Sequence, residues 1–270
     1  MRLRNWKTYA DQFRLTLKHE SQAIHFIRRY RLWEGLQHYG WLAKVLLFFA
    51  FLAGLKFISI FFNWINQIKL SSAGQAFQSM GMFFHDFALG GYEFVFSGTT
   101  KYLILILAEV LVFHCCRRTI QILMRRNDPP VFKDFIDAQK RMIAVAIYSW
   151  VMELVFTILI KIATGIVSPL AFLEEAAIFI VQCYFLGFAI IDNYHEQFGL
   201  SIKESAKLTQ NYLGVAFAAG LSLYLIMLIP LAGVIIAPII VTVAVAHTMY
   251  SVSDLHLLGK DIFKKVEEFV

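Results

Sequence analysis

The sequence predicts an all-α, polytopic membrane protein, and three observations carry that prediction. Fifty-nine per cent of the 270 residues are hydrophobic and only 16% are charged, against about a quarter charged in an ordinary globular domain. The apolar residues gather into about six runs of helical, span-like length. The basic residues stand in short segments beside those runs. That placement makes the net charge of +6 a topology signal of the positive-inside kind rather than a nucleic-acid footprint. One integral membrane domain over 1–270 is expected, with a cytoplasmic amphipathic segment at 1–40, the membrane region at 41–250 and a second amphipathic tail at 251–270.

Residues 1–40 carry eight Lys or Arg against three acids. Trp6, Tyr9, Phe13, Leu17, Ile24 and Ile27 fall at helical spacing, as in one or two amphipathic helices on the inner surface. This charge density does not fit a cleavable leader. Trp41 to Trp64 is the first candidate span, bracketed by interfacial Trp and holding Lys44 and Lys56. The aromatic mixture from Asn63 to Thr100 suits an outer interfacial or re-entrant piece. Tyr102 to Cys116, with Glu109 and His114, is a second, short apolar run. A basic segment follows from Arg117 to Arg141, interrupted by Pro129-Pro130, which no helix passes through.

Met142 to Ile166 and Leu170 to Ile191 are the third and fourth runs, joined at Ser168-Pro169, a Ser cap with Pro at the first helical position. No Lys or Arg lies between Ile162 and Glu175, so this turn is expected outside. The fourth run ends in Asp192-Asn193-Tyr194-His195-Glu196. Gly199 then supplies a turn, and Ser201 with Glu204 forms a capping box that opens a short surface helix to Tyr212. Leu213–Ile229 and Leu231–Ala246 make an apolar hairpin around Pro230. At about 17 residues each these last runs sit near the lower limit for crossing. They either span or dip in and return, and the 142–193 pair carries the same alternative.

The region from 176 to 250 also resembles a known family. Tyr184-Phe-Leu-Gly-Phe-Ala-Ile-Ile-Asp192, Gly199-Leu-Ser201, Ile229-Pro230-Leu231, Pro238 and the tail through Ala244, Val245 and Ala246 are similar to the pattern of the CysZ sulfate-permease and etoposide-induced-protein family. The resemblance implies a fold mixing full spans with partly penetrating helical hairpins, in the bacterial cytoplasmic (inner) membrane. It also implies passive, channel-like entry of a sulfate-like anion. A Gly-Ile-Arg-Arg element ahead of the first span is tied to sulfate binding in that family. The comparable place here reads Leu32-Trp33-Glu34-Gly35, so Arg28, Arg29 and Arg31, just upstream, are the nearest substitutes.

Ionisable residues within apolar runs are the candidates for a polar pathway, since each costs about 2.5–3.5 kcal/mol to place at a helix centre. These are Lys56, Glu109, Glu153 and Lys161. The alternative is that the lysines snorkel to the outer surface and the glutamates pair or stay protonated. Helix N-termini at Ser168 or Ser201 offer backbone amides to an oxyanion, or serve only as caps. Asp192, His195 and Glu196 share one helical face, but no second ligand cluster accompanies them, and no metal or other cofactor is expected. Three cysteines give neither a disulfide framework nor metal-ligand spacing. No nucleophile elbow, Walker loop or zinc-protease motif occurs, so an enzyme is not expected. Expected partners are the bilayer, a small inorganic anion and further copies of the chain, since re-entrant helices need neighbours; nucleic acid is not among them. A non-transporting scaffold of the same fold is the alternative function.

Overall fold

The computed structural model describes residues 6–39, 44, 45, 48, 100–126, 132–166, 168–227, 229 and 232–257. Among them the regular structure is helical throughout, in seven α-helices: α1 (Trp6–Arg29), α2 (Thr100–Leu123), α3 (Phe132–Ile166), α4 (Glu174–Glu196), α5 (Ile202–Thr209), α6 (Leu213–Met227) and α7 (Ala232–Val252). Tight 3₁₀ turns occupy Leu36–Tyr39, Ser168–Leu173 and Gln210–Tyr212.

Four stretches are long and apolar enough to cross a membrane: Phe132–Ile166, Ala171–Glu196, Ile202–Met227 and Gly233–Val252. They correspond to the last four of the six expected runs. The Trp41–Trp64 run, with Lys56, lies outside the described residues. The Tyr102–Cys116 run is the middle of α2, but Lys101, Glu109, Arg117 and Arg118 share that helix and it is not one of the four.

Three boundaries differ from the sequence reading. Helix α3 begins at Phe132, ten residues before the apolar run, because nothing after the double proline breaks the helix. At about 1.5 Å per residue its 35 residues reach roughly 52 Å, longer than the ~30 Å of a hydrocarbon core. Helix α4 begins at Glu174 instead of at Ser168-Pro169, where the chain forms a 3₁₀ turn first, and Leu173 caps it without a side-chain hydrogen bond. The expected surface helix after Ser201 passes through the 3₁₀ turn at Gln210–Tyr212 almost directly into α6. Gly199 does adopt the left-handed turn conformation (φ 78°).

Helix α4 lies between α3 and α6, and α2 packs on α3 and α7. Between apolar helices in lipid there is little hydrophobic drive, so close packing of small residues takes over. The α4–α6 seam shows this reciprocally. A methyl group added at Gly187 would overlap the Ala216 carbonyl, and one at Gly220 would overlap the Cys183 carbonyl. The buried core follows the seam through Leu186, Ile190, Val215, Ala219 and Leu223. Helix α3, by contrast, leaves Ile147, Val151, Leu154, Ile158 and Ile162 exposed, a face compatible with lipid.

The amphipathic N-terminal helix forms as expected, but it is not simply laid on a lipid surface. It packs along the α6–α7 hairpin. Phe13 stacks on Phe217 with ring centroids 5.9 Å apart, and Gly214 leaves room for the Tyr9 backbone. Polar side chains fix the register. The Gln12 amide donates to the Asn211 carbonyl (3.1 Å), His19 Nδ1 meets the Thr248 hydroxyl (2.8 Å), and the Ser222 hydroxyl donates to the Glu20 carboxyl (2.6 Å).

Docking α1 in this way perturbs two titrations. Burial pushes the Glu20 carboxyl up to about 7 against the pull of the Ser222 hydrogen bond. Burial, then His247 and Lys18, push His19 down to about 4. Protonated Glu20 therefore contributes stability below its ordinary value, and that contribution is lost as pH rises through about 7. Neutral His19 contributes above its ordinary value, and that contribution is lost as pH falls towards about 4. Glu20→Gln is expected to raise Tm in detergent at about pH 8 and to leave it unchanged at about pH 4. A Tm difference that does not vary with pH would contradict the assignment.

Candidate functional site

The polar groups of the bundle converge where α2, α3 and α4 meet near the turn into α5. Arg141 stands at the junction of the basic segment and the apolar part of α3. Its Nε and Nη2 donate to the two oxygens of Asp192 on α4, both at 2.8 Å, and its Nη1 donates to the Leu200 carbonyl at 2.6 Å. Glu196, one turn further along α4, has a carboxylate oxygen 4.0 Å from Arg141 Nε. One guanidinium thus ties two candidate spans to the turn that Gly199 makes. Asp192 is 2% exposed, so the fork geometry replaces the hydration that both ions lose.

Glu109 of α2 reaches the same region and is fully buried. The charges facing it are Asp192, Glu196 and Arg141, and Asn193 is nearby. Neither of its oxygens makes a hydrogen bond of ordinary geometry. The Asn193 amide nitrogen donates instead to the Ala189 carbonyl at 3.3 Å, and its oxygen has no partner. His195 is buried with Nδ1 2.9 Å from the Ser205 hydroxyl, which anchors α5 to α4. Among the described residues no group of His, Cys, Asp and Glu is arranged to hold a metal ion.

Beside this cluster a cavity of about 530 Å³ opens between the ends of α2, α3 and α4. Arg117, Arg126, Asp134, Asp137, Glu196 and His256 supply its ionisable lining. Arg117 donates to Asp134 across it at 2.7 Å.

A second polar set lies at the other end of α2. Lys101 Nζ donates to Glu153 Oε1 at 2.6 Å, and the Tyr102 hydroxyl donates to Oε2 at 2.8 Å. Lys101 is wholly buried. Glu153 therefore pairs across the α2–α3 contact. A third network closes the turn before the undescribed region. His114 Nε2 lies 2.7 Å from the Leu32 carbonyl, which can only accept, so Nε2 carries the proton and Nδ1 accepts from the Tyr39 hydroxyl at 3.0 Å.

The other sequence candidates among the described residues stand apart from these clusters. Arg28 and Arg29 are exposed at the end of α1, and Arg31 is exposed and bound to Glu34 at 3.1 Å. Lys161 is exposed on α3. Ser201 forms its capping box: its backbone N–H donates to Glu204 at 2.6 Å and its hydroxyl accepts from the Glu204 amide at 3.4 Å. Cys115, Cys116 and Cys183 are free thiols.

Sequence reasoning placed Arg141 in a topology loop and gave Lys101 no role. A usable signal existed for Arg141. Residues 141 and 192 are nearly equidistant from the Ser168 turn, so folding α3 against α4 brings them level.

No family model, curated protein or solved structure matches this chain. The geometry of the clusters and the cavity is what bears on function.

Proposed function

We propose that this membrane protein passes a small inorganic anion, sulfate-like in charge and size, passively through its helical bundle, as the CysZ-like resemblance implies. The observation that supports the reading is the cavity at the ends of α2, α3 and α4. It is wide enough for a hydrated oxyanion, carries Arg117 and Arg126 in its wall, and borders the cluster around Arg141. Asp134, Asp137 and Glu196 share that wall and Arg117 is paired with Asp134, so the draw of this vestibule on an anion is local to Arg126 at the rim. The reading places the chain in the bacterial inner membrane, with the vestibule and both termini cytoplasmic, and self-association covers its remaining apolar faces.

Labelled sulfate flux into proteoliposomes tests this. The parent is expected to show saturable uptake, Arg126→Gln to lower it by roughly threefold at low salt, and the Arg28, Arg29, Arg31→Ala variant to match the parent. Loss of flux only in the triple variant would move the anion site to the end of α1.

The Lys101–Glu153–Tyr102 set favours a second reading. Both oxygens of its carboxylate have a donor within the bundle, as in a membrane scaffold that transports nothing. Uptake no faster than in empty liposomes selects that reading.

A further inference from the structure

We propose that Glu109 is an interior proton-binding site, exchanging with the vestibule through Glu196. Three carboxyl groups, Glu109, Asp192 and Glu196, lie in the field of one guanidinium, which contacts Asp192 and stands 4.0 Å from Glu196. Arg141 spends both arms of its fork on Asp192 and its third donor on the Leu200 carbonyl. Nothing in that set is left to neutralise Glu109, whose two oxygens are buried and without partners. A carboxylate so placed would be an uncompensated charge beside two others in an apolar bundle, a far costlier state than the neutral acid. A proton is the ligand that removes the charge without needing space.

The described residues supply no rival. Among them, Arg141 of α3 and Asp192 and Glu196 of α4 are the charges that act on Glu109, with Asn193 alongside. Cys116 is the titratable neighbour on α2 itself. On α7, Tyr250 donates to the Leu123 carbonyl and His247 packs on His19 and Phe26. Of the described charged groups acting on Glu109, Glu196 is the one that also lines the cavity. The step is a simple relay. A water molecule entering from the vestibule carries the proton. The O–H bond of protonated Glu196 breaks as one forms on that water, and an O–H bond of the same water breaks as one forms on the Glu109 carboxylate. Hydronium from the vestibule returns a proton to Glu196. This inference does not rest on anion permeation, and its test reads no flux.

The test is infrared difference spectroscopy of the purified full-length protein in lipid nanodiscs at neutral pH. The parent is expected to show the C=O stretch of a carboxylic acid lacking strong hydrogen bonds. Glu109→Gln, isosteric with that acid, is expected to abolish the band, and Glu109→Asp to displace it. In Glu196→Gln the band should remain, with its shift on transfer to heavy water slowed by roughly tenfold or more. Absence of the band in the parent, or its survival in Glu109→Gln, overturns the site. Should the Gln variant not fold, an undisplaced band in Glu109→Asp overturns it equally. Unchanged exchange in Glu196→Gln overturns the route.

Discussion

Arg141→Met is expected to lower the stability of the bundle by about 3–5 kcal/mol, the usual result of stranding one partner of a buried ion pair. Asp192, 2% exposed, would lose both donors at 2.8 Å, and the Leu200 carbonyl would lose its donor as well. The double variant Arg141→Met, Asp192→Leu removes the Asp192 charge together with its partner, leaves the Glu196 carboxylate and the Leu200 carbonyl without Arg141, and is expected to recover part of that loss. Unfolding midpoints in detergent, taken as a double-mutant cycle, decide the matter. A double variant as unstable as the sum of the singles would mean that the two side chains stabilise the fold separately and that the fork contributes little.

Gly187→Leu and Gly220→Leu should each cost about 3 kcal/mol or more, the upper end of overpacking effects. The obstruction at both positions is a carbonyl of the facing helix, and a backbone group cannot rotate aside as a side chain can. Relief requires α4 and α6 to separate along the core they share. Gly165 is the matched control: a methyl there meets nothing within 4 Å, and Gly165→Ala should be neutral or stabilising by up to ~1 kcal/mol. Monodispersity and thermal unfolding in detergent compare the three. Equal tolerance at all three positions would remove the close seam from the account of stability.

Much of this fold was legible because it is written locally. The capping box needs only Ser201 and Glu204, the left-handed turn only Gly199, and the last four apolar runs announce themselves by length. The partners of the charges were not legible, since pairing depends on which helices become neighbours. Glu109 and Glu153 stood out as ionisable groups inside apolar runs, yet nothing near them in sequence tells why one is paired and the other is not. The mate of Glu153 is Lys101, 52 residues away on another helix. The Ser168-Pro169 start was misread because a good local cap signal also suits a 3₁₀ turn, and packing against α3 settled which formed. The arginines at 28, 29 and 31 attracted attention by clustering, while Arg141, at the end of the basic segment, is the one the fold partly buries against Asp192.

The seating of α1 has a consequence for biogenesis. Its partners Asn211, Ser222 and Thr248 follow it by 199, 202 and 229 residues respectively. At about 5–20 residues per second, the ribosome needs on the order of 10–40 s to make that intervening chain. Helix α1, made well before its partners, is thus late to find its site, and it must wait with its apolar stripe uncovered. An amphipathic helix can spend that interval resting on the bilayer surface. Membrane adsorption and docking on α6 and α7 are then successive stations of one segment, and the same stripe serves both.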